Sequence, residues 1–534
     1  MKQSWDYIIV GAGTAGCVLA ARLTEDPNVD VLVLEAGGRR LSPWYYIPVG
    51  YFKTVGNPRA DWMYATEADP GLAGRAIPWP RGKVVGGSGS INGLVYVRGQ
   101  PQDYDGWVSS GCEGWGWQDL LPYFKRAEHQ ERGSSEFHGA GGPLAVSDDR
   151  TSFEICHRFH DAAAASGLSR NADCNDGNQE GVGYYQTMSR GGVRSSTASG
   201  YLGSAGGRPN LTLVRRALCE RLILEGEQVR GVAFRDAAGR QKTVDCDREV
   251  LLSAGAVASP ALLLRSGIGP ADHLREHGIN PLVDLPGVGQ HLKDHLKIHN
   301  SYRTRIPTLN DQLSTLRGKA GIAWQYLTRR RGPMTMAAAP VFCFARATPE
   351  AERPDVQFHV LPWSSSEPGS GRMHPFSGFT ASICPLRPES SGTIRLRSAD
   401  PAAPPRIQPN YLSTPHDAAT AVAAIRLSRQ ICRHEPLKSA IAEEFAPGAD
   451  AKSDEEILAF IRNNASTVFH PVGTCRMGTG PDSVVDPRLC VHGVAGLRVV
   501  DASIMPDIPS GNTNAPVVAI AEKASDLIRE PAQP

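Results

Sequence analysis

The segment Gly11-Ala12-Gly13-Thr14-Ala15-Gly16 stands between an apolar run, Tyr7-Ile8-Ile9-Val10, and a helix-like stretch from Cys17 to Glu25, and a second apolar run, Val31-Leu32-Val33-Leu34, ends on Glu35. Strand, glycine turn, helix and a second strand closed by an acid make a dinucleotide-binding unit, so the chain opens on a Rossmann-like α/β fold. Gly11 and Gly13 let the turn close and let backbone N–H groups approach a pyrophosphate, whereas Gly16 lets the helix pack on its strand. The phosphates then meet the positive end of the helix. Glu35 is placed to accept both hydroxyls of an adenosine ribose, and an acid there disfavours a 2′-phosphate. The pattern therefore points to FAD or NAD and away from NADP.

With 534 residues the chain exceeds one ordinary core, and two domains, built if need be from interleaved segments, are expected. Lys and Arg number 56 against 55 Asp and Glu, which leaves no net field to gather nucleic acid. Eleven scattered cysteines without a single CxxC indicate neither a disulfide framework nor a zinc ribbon, and a reducing compartment fits them best. The first strand begins almost at Met1 with no leader before it, and no apolar run is long enough to span a bilayer. A soluble cytoplasmic location is the expectation.

Further along, residues 41–65 form a loop rich in aromatic side chains, among them Trp44, Tyr45, Tyr46, Tyr51, Phe52, Trp62 and Tyr64. It serves either as a wall of the cofactor site or as ordinary loop packing. The glycine-rich run from Gly82 to Gly93 lets backbone lie against a flat ligand. Strands at 210–214, 221–224 and 231–234 suggest a small antiparallel sheet. The strand at 249–253 and a helix from about Ser259 to Ser266 suggest a return to the cofactor domain. Alternating runs at 356–360 and 392–396 read as strands of a different, substrate-side sheet. Helices follow at about 416–434, 454–463 and 516–530, and Arg329-Arg330-Arg331 reads as a solvated helix end.

Three stretches resemble one family. Gly82-Lys83-Val84-Val85-Gly86-Gly87 through Asn92, Tyr96, Gly99 and Asp105 is similar to the first signature of the glucose-methanol-choline (GMC) flavoprotein oxidoreductases, and residues 255–269 resemble the second. His470-Pro471-Val472-Gly473-Thr474-Cys475-Arg476-Met477-Gly478, residues 497–506 and Gly511-Asn512-Thr513-Asn514-Ala515-Pro516 agree as well, in the manner of the choline and alcohol dehydrogenase branch. The resemblance implies an FAD-binding Rossmann-like α/β domain (1–155, 206–295, 466–534) interleaved with an α+β substrate domain built on an antiparallel sheet (156–205, 296–465). It implies FAD contacts from Gly11, Gly13, Thr14, Ala15, Gly16, Glu35 and Ala36, from Val84, Gly87, Ser88, Asn92, Gly93 and Val95, from Cys219 and Ala254, and from Asp501, Ala502 and Thr513. Where similar choline oxidases carry a histidine bonded to the flavin this chain has Ile91, so FAD is expected to be held non-covalently.

Oxidising an alcohol at a flavin needs a base near the hydroxyl and a polar group to orient it. His470 matches the family's base and Asn512 its partner, while Asn514 is expected to cap the helix opened by Ala515-Pro516, whose positive end would favour a reduced flavin. His291, His295 and His299 recur at helical spacing, but no cysteine accompanies them and no metal site is expected. Ser195-Ser196 lacks the context of a nucleophile elbow, which argues against hydrolase chemistry. The expected activity is oxidation of a primary alcohol to an aldehyde, with oxygen or a quinone-like carrier as electron acceptor and the aromatic loop suiting an apolar, aromatic or cationic alcohol. A lyase on the same fold is the alternative.

Overall fold

A strand, β1 (Ser4–Val10), feeds through Gly11 into helix α1 (Thr14–Leu23) and returns as β2 (Val31–Glu35), which pairs parallel with β1. The computed structural model describes residues 2–365 and 372–530 of the chain. Helix α1 is almost entirely apolar, and Cys17, Val18, Leu19 and Ala20 are fully buried. Each branched side chain among them contributes about 1.5–3 kcal/mol by leaving water. The long strand β3 (Gln241–Leu252) lies parallel to β1 and is followed directly by α2 (Gly255–Arg265). That helix begins earlier than its apolar periodicity suggests, because Asp501 accepts the Gly255 N–H at 2.8 Å and fixes the turn.

The three strands expected to form one small antiparallel sheet separate. Leu218–Glu225 and Gln228–Arg235 run antiparallel beside β3, whereas Leu211–Arg215 pairs parallel with β2 at the opposite edge of the same seven-stranded sheet. Strand pairing is a long-range choice, and the side-chain alternation of a single run does not declare its neighbour. Leu497–Val499 joins this sheet against β3.

A second, antiparallel sheet of seven strands is built around β4 (Leu296–Thr304), β5 (Val356–Leu361) and β6 (Gly378–Pro385), with β6 between the other two. The stretch containing His291, His295 and His299 is thus not helical, since the last of them lies within β4 and His291 has φ +57. Thr393–Arg395 pairs only with Arg406–Gln408 and stands outside this sheet. Among the described residues no helix is long and apolar enough to cross a membrane. All eleven thiols are free. Helix α3 (Asn514–Arg529) packs on α1, and its first turn faces the space between the two sheets.

Candidate active site

One continuous cavity of about 780 Å³ runs from Gly11 and Glu35 to His470 and Asn512, within the ~300–1,000 Å³ usual for cofactor and ligand sites. Backbone approaches backbone so closely at its first end that side chains are excluded. A Cβ on Gly11, where φ is +102, would lie 2.6 Å from the Ser253 carbonyl, and one on Gly87 would lie 2.8 Å from Gly13 Cα. Gly13 precedes α1 without a side-chain cap, so the first N–H groups of the helix, at Thr14 and Ala15, are open to an anion. Glu35 ends β2 and accepts the N–H groups of Ala12 at 2.8 Å and Gly37 at 2.7 Å. Burial nevertheless pushes its carboxyl up to about 7. A glycine cradle, an uncapped helix start and an acid at the end of the second strand fit the pyrophosphate and ribose of FAD.

All but two of the predicted cofactor residues line this cavity; Gly16 and Val84 lie behind its wall. A Cβ on Gly16 would meet the Gly11 carbonyl oxygen at 1.9 Å, so this glycine sets the helix–strand approach. Val84 packs with Tyr45, Ala60 and Ile91. In the aromatic loop Tyr51, Phe52, Trp62 and Tyr64 line the cavity as a wall, while Trp44 and Tyr46 face solvent.

At the far end, Phe469 holds a left-handed φ of +70, a strained conformation for a bulky residue. Three bonds impose it: Phe469 N–H to Thr467 Oγ1 at 2.6 Å, Arg81 Nη2 to the Phe469 carbonyl at 2.7 Å, and His470 N–H to Asp294 Oδ1 at 2.7 Å. Asp294 is buried and also accepts the hydroxyls of Thr467 and Tyr411. The strained turn presents the His470 ring to the cavity.

His470 Nε2 lies 3.1 Å from Asn512 Nδ2, and its Nδ1 lies 3.0 Å from His295 Nδ1. His295 Nε2 in turn lies 2.9 Å from the Leu386 carbonyl. A carbonyl only accepts, so His295 carries its proton on Nε2 and offers the lone pair of Nδ1. His470 Nδ1 is therefore the donor, and its Nε2 is left unprotonated toward the cavity. Gln357 Nε2 donates to Asn512 Oδ1 at 3.2 Å, which turns the Asn512 amide nitrogen toward that lone pair. Burial holds His295 down at about 4. Burial, with the neighbouring His295, His359, Arg81 and Lys297, drives His470 well below 6.5. The imidazole therefore keeps its neutral form to a lower pH than an ordinary histidine does.

Asn514 does not cap α3. Its Nδ2 donates to Thr14 Oγ1 at 3.0 Å, and Thr513 makes no side-chain cap either, so the open helix start faces the cavity. The sequence reading missed His295, Asp294, Lys297 and His359. The signal for Lys297 was present, because Lys297, His299 and Ser301 alternate with Ile298, Asn300 and Tyr302 in the period of a strand. Among the described residues no group of acids, histidines and cysteines is arranged to hold a metal.

Residues 5–297 and 388–521 match the N-terminal and C-terminal family models described as GMC oxidoreductase. The chain is 42% identical to the alcohol dehydrogenase (acceptor) of Pseudomonas putida over 529 residues, covering 98% of this chain and 95% of that one. It is also 42% identical to the mitochondrial choline dehydrogenase of Homo sapiens over 538 residues, covering 99% and 90%. Among solved structures, pyridoxine 4-oxidase from Mesorbium loti superposes with a TM-score of 0.88 at 35% identity, covering 98% of each chain. Matched by both models in order and by relatives along nearly its whole length, the chain belongs to the GMC oxidoreductase family, whose members use FAD.

Proposed function

We propose that this protein oxidises a primary alcohol to an aldehyde, with His470 as the base, Asn512 as its partner and FAD held non-covalently. The observation that carries the reading is the one-way chain from the Leu386 carbonyl through His295 to His470, which leaves an unprotonated Nε2 beside the Asn512 amide. A hydroxyl that enters from the cavity and displaces the direct amide–imidazole contact donates to the imidazole while its oxygen accepts from the amide. The backbone donors at Thr14 and Ala15 and the carboxylate of Glu35 would hold the dinucleotide. Bound flavin supplies the acceptor for the hydride that leaves the carbinol carbon. Ile91 supports non-covalent attachment, since its side chain in the Gly82–Gly93 run offers no nucleophile.

Sheet membership supports the interleaved division proposed for the chain. The first sheet draws its strands from 4–252 and 497–499, and the second from 181–184 and 296–446. Strand pairing crosses the boundary where Ser466–Thr467 meets Leu296 and Lys297 and where Leu144–Asp148 meets Gln186–Thr187. The relatives described above bear dehydrogenase and oxidase names, which favours oxidation over a lyase. Oxygen and a quinone-like carrier both remain within the proposal as electron acceptors. Replacing His470 by Ala is expected to leave purified protein yellow while slowing anaerobic reduction of the flavin by alcohol at least about a hundredfold. Reduction at the parent rate would remove His470 from the role.

A further inference from the structure

Strand alternation decides what the substrate meets beyond His470. Successive side chains of β4 point to opposite faces, and Lys297, His299 and Ser301 share the face that lines the cavity. Across the sheet His299 stands opposite Ser382, which in turn stands opposite His359. The floor of this end is therefore basic and hydroxylic. His299 Nε2 is buried without a hydrogen-bond partner, and the Lys297 ammonium has no ion pair or hydrogen bond among the described residues, lying instead 5.3 Å from the centre of the Phe469 ring.

Among the described residues no acid side chain lines this floor. Two carboxylates line the cavity among the described residues, Glu35 and Asp501, and both are engaged on the cofactor side. Glu35 accepts from backbone N–H groups, and Asp501 accepts from Gly255, Ser259 and Ser503. Asp294, the acid preceding this strand, has its oxygens taken by Thr467, Tyr411 and the His470 N–H. Arg81 spends its guanidinium on the Pro80 and Phe469 carbonyls. A solvent-poor ammonium group with no ion-pair partner among the described residues, felt by Asp294 only without direct contact, is costly until an anion arrives, and a quaternary ammonium group placed beside it would be repelled. Burial pushes Lys297 down to about 8 although the charge of Asp294 opposes it, the direction expected of a cation without a direct ion pair.

We propose that the substrate is an anionic alcohol whose carboxylate is received by Lys297, with His299 beside it, while its hydroxyl reaches His470. This rests on the alcohol-oxidation reading above, and it selects against the cationic alcohols that the aromatic loop alone would admit.

The test separates binding from turnover. Flavin-loaded enzyme is titrated calorimetrically with three aryl ligands of matched shape that cannot be oxidised at this site: 4-methylbenzoate, 4-methylanisole and 4-methylphenyltrimethylammonium. The carboxylate is expected to bind at least about tenfold tighter than the ammonium. Lys297→Met should erase that preference, Lys297→Arg should keep it and Lys297→Glu should reverse it. Flavin content of each variant shows that the fold persists. Failure of the carboxylate to bind, equal binding of the ammonium by the parent, or survival of the preference in Lys297→Met each overturns the proposal. Turnover of 4-(hydroxymethyl)benzoate against the matching trimethylammonium benzyl alcohol is expected to follow the same order. Should the binding preference hold while no alcohol reduces the flavin, it is the oxidation reading that fails.

Discussion

A histidine acts as a base only through a nitrogen that carries no proton, and here that condition is imposed on His470 by a neighbour. The Leu386 carbonyl orders the protons of His295, and His295 orders those of His470. Replacing His295 by Leu leaves the His470 Nδ1–H buried without an acceptor, a cost of about 1–3 kcal/mol that the ring can avoid by moving its proton to Nε2. The wrong tautomer then faces the substrate. Flavin reduction in His295→Leu is expected to fall at least about tenfold, with flavin content unchanged. His295→Asn keeps an acceptor near the place of Nδ1 and should recover much of the loss. Stopped-flow reduction of both variants checks this, and equal rates in the two would show that the orientation of His470 owes nothing to His295.

At the scale of elements, the glycine turn between β1 and α1 couples stability to cofactor binding. Gly16 sits on α1 where a methyl group would overlap the Gly11 carbonyl, and Gly11 is held against Ser253 of the strand end beside it. Gly16→Ala must push the helix off its strand and open the cradle together, so the variant is expected to purify with little flavin and a lowered melting temperature. Absorbance at the flavin band against protein absorbance measures it; full loading would show that the turn tolerates the shift. The unit was legible in the sequence because every signal that makes it is local: apolar runs, a glycine spacing and an acid in register. Leu211–Arg215 was legible as a strand but not as the neighbour of β2, since its partner lies far away in sequence. His470 and Asn512 were legible through a motif. His295 was read at helical spacing; it lies just before β4, whose first residues pair with Ser466–Thr467 and so bring it beside His470, a pairing the sequence does not declare. Asn514 looked like a cap because Ala515-Pro516 opens a helix, yet Thr14 on α1 draws its amide away.

Across the whole molecule, the two sheets bury a set of histidines whose protonation links stability to pH. Burial lowers His295 to about 4 and His299 and His359 to about 3, and it places His470 well below 6.5. An unfolded chain binds protons on these side chains near pH 6.5, whereas the folded chain does not, so folding loses ground as pH falls below that value. Each histidine costs about 1.4 kcal/mol per pH unit until its folded value is reached. Glu35 works in the opposite direction, because its carboxyl, raised by burial to about 7, gains protons on folding between about 7 and its ordinary value of 4.5. Burial raises Asp69, Asp149 and Asp294 as well, and it lowers His160, His273, His291 and His374 in addition to these four, so the histidines outnumber the raised carboxyls and acid is destabilising. On the alkaline side His138 counts: burial opposes its charge, but Asp173 and Glu128 raise it to about 9, so the stability it contributes is complete below pH 6.5 and lost as pH rises through 9. Thermal release of flavin, followed by its fluorescence, is therefore expected to occur at a lower temperature at pH 5 than at pH 7. The decline should be shallower in His299→Gln, which removes one titrating group from the cavity floor. An identical decline in parent and variant would place the acid-sensitive group elsewhere in the chain.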